Sequence, residues 1–383
     1  MIQPTKEKLT SSSQATIIRR LIVTTCGTSL LTNTADGALR RCITDYANAR
    51  GPDEAGAHAE AIVAHIAHCQ QRLETMNSIA EICKVSAELN GLIKLYGGQF
   101  PHGPDHNVLL VTDTWFGSEM GRLIESWLRH KGQASVEIQP LKDLRTDSLA
   151  EFRVAMSELV HWCAETLPAY RSQQWRVIFN LTGGFKSVQG FLQTLALFYA
   201  DEAVYVFQSS GELLRLPRLP VRMEAEQTLR DHLTTFRRMA RGLTVSSDAA
   251  ETIPDTLRWI DGAQATLSPW GELVWDQGHR ELYREQLWDP ASPRLRYGPR
   301  FAETTQGLPA ERMKLVNERI DDLAVYLEMD KSLARLDFKD LKGNPRSPST
   351  HECDAWHDRD TRRLFGHHEG NVFVLDALDK ALH

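Results

Sequence analysis

A chain of 383 residues is longer than one small hydrophobic core sustains and reads as two or three domains. Its 42% hydrophobic and 25% charged residues exclude a disordered or collagen-like chain, and a formal net charge of −6 excludes a global pull toward nucleic acid. Six cysteines without a C-x-x-C pair, no basic-then-apolar leader and no apolar run of membrane-spanning length point to a reducing cytoplasm without membrane contact.

In chain order, residues 21–25 form a short β-branched run that breaks at Gly27, the pattern of a buried parallel strand ending in a loop. Residues 108–112, 136–138, 177–181 and 204–207 repeat it, with helical patterns between most of them. Met120, Leu123, Ile124, Trp127 and Leu128 share one helix face, as do Leu149, Phe152, Met156, Leu159, Val160 and Cys163, and then Val188, Phe191, Leu192, Leu195 and Tyr199. Such alternation predicts an α/β fold: a Rossmann-like parallel sheet covered on both faces, with ligands beyond the carboxyl ends of its strands. Residues 33–103 are an insertion longer than a crossover needs, read as helix over 57–95 and as a surface for a partner or a second copy. Pro217 and Pro220 close this first domain at about residue 221.

A helix from Met223 to Arg241 opens a connector that runs to residue 293. Its segment 252–293, with Trp259, Trp270, Trp275 and Trp288, reads as helix, glycine turn and two short strands, a small winged-helix-like element. Residues 294–383 then read as a small α+β module: a short strand, a helix over 309–328, a loop, and antiparallel strands 362–366 and 372–378 joined through Glu369-Gly370-Asn371.

Chemistry concentrates at the strand ends of the first domain. Asn180-Leu181-Thr182-Gly183-Gly184-Phe185-Lys186 lies where a strand turns into a helix. Two glycines permit close backbone approach, the opening helix turn presents N–H groups to an anion, and Lys186 adds charge, so a phosphate would fit; a glycine turn that merely reverses the chain uses the same residues. Cys26-Gly27-Thr28-Ser29 and Asp113-Thr114-Trp115-Phe116-Gly117-Ser118-Glu119 follow the first two strands, so three polar, glycine-containing loops converge on one sheet edge.

Across residues 21–221 these motifs, in this order and spacing, resemble the CARF domain of CRISPR-associated proteins. The resemblance implies a cyclic oligoadenylate activator, cyclic tetra-adenylate as the expected ring, bound across a two-fold homodimer, with no further cofactor. It implies a pocket lined by Gly27, Thr28, Ser29, Thr114, Asn180, Thr182, Gly183, Gly184 and Lys186. Some members of the group also cut the ring slowly, with Ser29 and Lys186 as the matching candidates here; binding without cleavage needs the same donors.

Tyr297-Gly298-Pro299-Arg300-Phe301, the helix carrying Val316, Ile320 and Leu323, the run Phe338 to Gly343, and the two terminal strands resemble the RelE superfamily of ribosome-dependent mRNA interferases. The resemblance implies a metal-independent ribonuclease of type III CRISPR defence whose partners are the ribosome and mRNA. The 2′-hydroxyl attacks the neighbouring phosphate while a base removes its proton and cations stabilise the phosphoryl oxygens. Arg363 matches the arginine that opens the family's strand motif, Arg362 is its neighbour, and Lys380 matches the basic position after the last strand. Glu352-Cys353-Asp354 stands where many members carry lysines, Gly366 replaces a tyrosine, and the sequence reaches His383 before the usual terminal helix and tyrosine. The general base stays open among His351, His357, His367, His368 and His383. Nine basic and nine acidic residues over 331–383 leave free RNA weakly held, so a ribosome would orient the message.

Two rivals stand beside this reading. Arg362 and His367 satisfy the R-x4-H spacing of HEPN ribonucleases, though that motif belongs on a helix. The connector could instead read DNA, making the protein a ligand-responsive transcription regulator, although its acidic residues and tryptophans suit packing better. Cys353 between His351 and His357 is too sparse for a zinc site.

Overall fold

The computed structural model describes residues 19–142, 144, 148–184, 186–207, 211–221, 224, 226–343 and 346–381; Phe185, Met223 and His383 lie outside them. The chain divides into two compact units, Met1–Ala155 with Trp162–Pro220 and Met156–His161 with Val221–His383.

The first unit runs β1 (Arg20–Thr25), α1 (Ser29–Thr34), α2 (Gly37–Asp45), α3 (Ala59–Thr75), α4 (Ile79–Val85), α5 (Ala87–Leu95), β2 (His106–Thr112), α6 (Trp115–His130), β3 (Ser135–Leu141), α7 (Leu149–Ser172), β4 (Arg176–Asn180), α8 (Lys186–Tyr199), β5 (Glu202–Val206) and β6 (Leu213–Pro217). Its sheet has the order β3-β2-β1-β4-β5-β6, parallel except for β6. The chain builds outward from β1 to β3 and then returns to the other side of β1. The resulting reversal between β1 and β4 is a topological switch point, the position where such sheets take ligands. The expected parallel α/β sheet is therefore present, and the run 213–217 adds an antiparallel edge to it.

The insertion differs from expectation. Instead of one helix over 57–95 there are a 3₁₀ segment, Pro52–His58, and three helices. Ser78 and Ser86 adopt extended backbone and their hydroxyls cap α4 and α5, accepting from the N–H groups of Glu81 and Leu89. A serine that satisfies helix-end amides stops the preceding helix from running through. The insertion's apolar residues are also used internally. Ile62, Ile66, Leu73, Ile82, Leu89 and Leu92 join Ile22, Leu109 and Ile178 of the sheet in one core, so these side chains form no outer patch.

The second unit runs α9 (Glu226–Asp231), α10 (Leu233–Ala240), β7 (Arg258–Asp261), β8 (Gln264–Leu267), α11 (Pro269–Glu285), β9 (Leu295–Tyr297), α12 (Phe301–Thr304), α13 (Ala310–Met329), β10 (Lys339–Asp340), β11 (His351–Trp356), β12 (Arg362–Glu369) and β13 (Val372–Lys380). The helix expected up to Arg241 is broken at His232. In the tryptophan-rich segment the order is hairpin first and long helix second, the reverse of the reading, with Gly262 at φ +58° turning β7 into β8. The five-stranded sheet has the order β10-β11-β12-β13-β9, antiparallel except for β9 against β13. One face takes Val316, Ile320 and Leu323 of α13 against Leu364, Phe373, Leu375 and Leu378.

No division falls at residue 293. Arg237 of α10, 1% exposed, donates to Asp321 of α13 at 2.9 Å, and Tyr283 of α11 donates to the same carboxylate. Asn317, fully buried on α13, donates to the carbonyls of Tyr283 and Gln286 at 3.0 and 2.9 Å and accepts from the Trp288 N–H at 3.0 Å. Buried charge is tolerated only when paired, so these contacts lock the connector helices to α13. Arg237→Ala should lower stability by roughly 3–5 kcal/mol by stranding Asp321, read as a fall in the denaturant midpoint of full-length protein.

His279 of α11 stacks on Trp275, with ring centroids 4.6 Å apart, and its Nδ1 lies 2.6 Å from the Trp275 carbonyl oxygen. Burial pushes its pKa down to about 4. Below about pH 6.5 the unfolded chain then binds a proton that the folded imidazole refuses, so stability falls as pH drops from about 6.5 toward 4, by on the order of 3 kcal/mol. Unfolding curves across that range should be steeper in pH for the native protein than for His279→Gln.

Candidate functional site

β2, β1 and β4 are neighbours, so their three loops leave the same edge of the sheet side by side. The first and third touch. A Cβ on Gly27 would lie 3.0 Å from the Gly184 Cα, and one on Gly184 would lie 2.8 Å from the Thr25 Cβ. Gly184 also has φ +98°, a left-handed backbone that favours glycine. The Thr25 hydroxyl donates to the Gly183 carbonyl at 2.5 Å and stitches the loops together.

An acidic side chain that the sequence reading passed over stands at this junction. Glu88, in the first turn of α5, is fully buried. Its Oε1 accepts from the Gly27 N–H at 2.9 Å; its Oε2 accepts from the hydroxyls of Ser29 and of Ser86, the latter at 2.8 Å. A Cβ on Gly183 would collide with this carboxylate, and one on Gly91 would collide with Asn180 and Thr182, so both glycines let α5 sit down on the strand ends. The anion-seeking first loop therefore already holds an anion, supplied by the insertion. In sequence, Ser86-Ala87-Glu88 shows only a serine cap and a first-turn acid, which commonly faces water.

The expected pocket residues divide by environment. Ser29 Oγ donates to Glu88 and accepts from the Ala87 N–H at 2.9 Å, so it clasps α5 to the first loop. Asn180 is fully buried; its Nδ2 donates to the Glu88 carbonyl at 3.2 Å and its Oδ1 accepts from Thr182 at 2.8 Å. Thr114 is buried and caps α6, accepting from Gly117 N–H at 3.1 Å. Gly27 and Gly183 are buried, while Thr28, Thr182 and Gly184 are partly exposed and Lys186 is exposed at the first residue of α8. Lys186 and the opening turn of this 14-residue helix thus put a cation and free amides at the β4 end of the sheet edge. Cys26 is buried in the first unit's core, and that burial pushes its thiol pKa well up.

In the second unit Arg363 is 9% exposed and enclosed by carboxylates: Asp337 at 2.8 Å, Asp354 at 2.8 Å and Glu352 at 3.1 Å. A phosphate reaching it would first have to displace these partners. Arg362 is the cross-strand neighbour of Lys380 and reaches Asp360 at 3.2 Å. Adjacent strand residues project to opposite faces, so Arg362 and Arg363 do not line one site. Both Arg362 and His367 lie on strand β12, not on the helix that an R-x4-H ribonuclease motif requires. Of the histidines weighed as general base, His351 contacts Asp340 at 2.8 Å and His368 stacks edge-on to it, whereas His367 lies 2.8 Å from Asp376. Cys353 is buried and its thiol pKa is pushed up.

Residues 83–219 match the model of a CRISPR-associated protein family (Cas_APE2256). The match begins just ahead of α5 and ends after β6, so it takes in Glu88, the β2 loop and the Gly183-Gly184 turn, and it covers a little over a third of the chain. No curated protein matches the chain. Among the described residues no helix is long and apolar enough to cross a membrane.

Glu88→Ala should cost roughly 1–3 kcal/mol for each buried donor it orphans, whereas Lys186→Ala, at an exposed site, should stay within about 0.5 kcal/mol of the native protein. Urea unfolding of both variants checks the contrast.

Proposed function

We propose that the chain is a cyclic oligoadenylate-activated effector of CRISPR defence. The first unit binds the ring in its strand-end crevice, and the second is a RelE-like, metal-independent ribonuclease that cuts mRNA at the ribosome. What carries the sensing half is one arrangement: the Gly183-Gly184 turn runs into the N-terminus of α8 with Lys186 at its first residue, at the topological switch point of a parallel sheet and inside the segment matched to a CRISPR-associated family. The support for the effector half is the order of elements, a short strand, the long helix α13 and then antiparallel strands, which is the order the RelE resemblance implies.

In this reading α8's first-turn amides and Lys186 take a phosphate of the ring, and Thr28 offers a hydroxyl beside it, whereas the Thr182 hydroxyl is engaged by Asn180 and the Val206 N–H. A two-fold pair of chains would each read half the ring. Glu88 disfavours Ser29 as a ring-cutting group, because its hydroxyl is committed as both donor and acceptor. Binding without cleavage is the version the geometry favours. Messenger binding biases the second unit toward its active state by differential affinity for two conformations.

Calorimetry of full-length protein with cyclic tetra-adenylate and cyclic hexa-adenylate should give one ring per two chains. Lys186→Ala should weaken binding about tenfold or more, which is about 1.4 kcal/mol, with unfolding unchanged. Gly184→Asp is the poorer probe, since a side chain there disturbs the loop itself. Absence of heat with every ring overturns the sensing assignment.

A further inference from the structure

The face of the second unit's sheet opposite α13 carries a cavity of about 430 Å³, a size that suits a nucleotide. Its position follows from the register of the two longest strands. Phe365 pairs with Ala377, but Gly366 pairs with Leu375, so Asp376 is the extra residue of a β-bulge. Bulges re-aim side chains and recur beside active sites. This one leaves Asp376 lining the cavity.

Two donors converge on the same Asp376 oxygen, the Ser349 hydroxyl at 2.8 Å and His367 Nδ1 at 2.8 Å. The bond to Asp376, with a lesser one to Glu369, raises the His367 pKa above its ordinary value. Arg346, also in the lining, lies over the Phe365 ring at 4.4 Å from the centroid and 2.7 Å from Asp379. Arg300 adds a second cation. Two guanidinium groups, one lying over the buried Phe365 ring, and a carboxylate held by Ser349 and His367 share one hollow, which is what a ribose flanked by a phosphodiester would meet.

We propose that this cavity is the catalytic site of the second unit and takes an RNA phosphodiester, with Asp376 as proton acceptor, His367 as its positioning residue, and Arg346 and Arg300 facing the phosphate. The assignment rests on the ribonuclease reading above and moves its chemistry away from Arg363. In the step, the 2′-oxygen forms a bond to phosphorus and the bond from phosphorus to O5′ breaks. The 2′-hydroxyl proton passes to Asp376, O5′ leaves with a proton from water, and Asp376 then gives its proton to the hydroxide so formed, which restores both water and the carboxylate. The products are a 2′,3′-cyclic phosphate and a 5′-hydroxyl, and no oxidant or reductant is consumed.

The test uses full-length protein, cyclic tetra-adenylate and labelled single-stranded RNA, with and without ribosomes. Native protein should leave 2′,3′-cyclic phosphate ends and spare an all-2′-deoxy strand. Asp376→Asn should lower kcat by about 10²–10⁴-fold with ring binding intact. His367→Gln should lower kcat at unchanged KM, and Arg346→Ala should raise KM. If native protein cuts RNA while Asp376→Asn and Arg346→Ala cut equally fast, this site is wrong and the ribonuclease reading survives. If native protein leaves RNA intact with every ring and with ribosomes, both fall. Should Asp376→Asn fail to fold, titration of native protein with a non-cleavable 2′-deoxy dinucleotide decides: shifts of the His367 ring signals support the site, and their absence overturns it.

Discussion

Burying the Glu88 carboxylate at the carboxyl ends of β1 and β4 obliges donors to converge on it, and the first unit's strand-end geometry follows from that requirement. The Gly27 N–H and the hydroxyls of Ser29 and Ser86 answer it from two segments some sixty residues apart. Gly183 and Gly91 are side-chain-free where α5 must descend, and Asn180 bonds the Glu88 carbonyl from the third loop. An unpaired buried carboxylate costs several kcal/mol, so the insertion, the first loop and the glycine turn hold their positions together. The insertion is thus part of the site's framework, whatever surface its polar side presents.

This arrangement also divides labour between loops that look alike in sequence. The first loop carries the glycine and hydroxyls of an anion site, yet its anion is intramolecular. The α8 loop keeps an exposed lysine on an opening helix turn, where amides lack intrahelical partners. In the reading proposed above, ligand recognition falls to the β4 side of the strand ends, with the β1 side acting as its scaffold.

The parallel strands and their chain order were legible because buried strands and amphipathic helices have distinct periods. The α13 face was readable for the same reason: Val316, Ile320 and Leu323 recur at helical spacing and are all buried. Hidden were features set by long-range pairing. Nothing local marks Glu88 as buried, since a first-turn acid is a common solvated residue, and nothing local says that Ser78 and Ser86 end helices inside an apolar stretch. The connector's order was misread because a short hairpin around Gly262 and the glycine-containing start of α11 carry similar turn signals. No sequence period records that Arg237 and Asp321, from segments read as separate domains, meet in a buried pair.

The terminal strands illustrate the limit most sharply. Matching motifs by position selects Arg363, because it opens the right strand, but function depends on which face a residue takes and what stands opposite. Register places Asp354 and Asp379 across from Arg363, and Glu352 two residues along from Asp354, so that arginine is neutralised in place. One extra residue in β13 then shifts the pairing beyond Ala377 and turns Asp376 toward the cavity with His367 behind it. A side chain's chemistry is decided here by a bulge that neither strand's own sequence announces. A strand of the same composition in unbroken register would offer its acids only as partners for arginine.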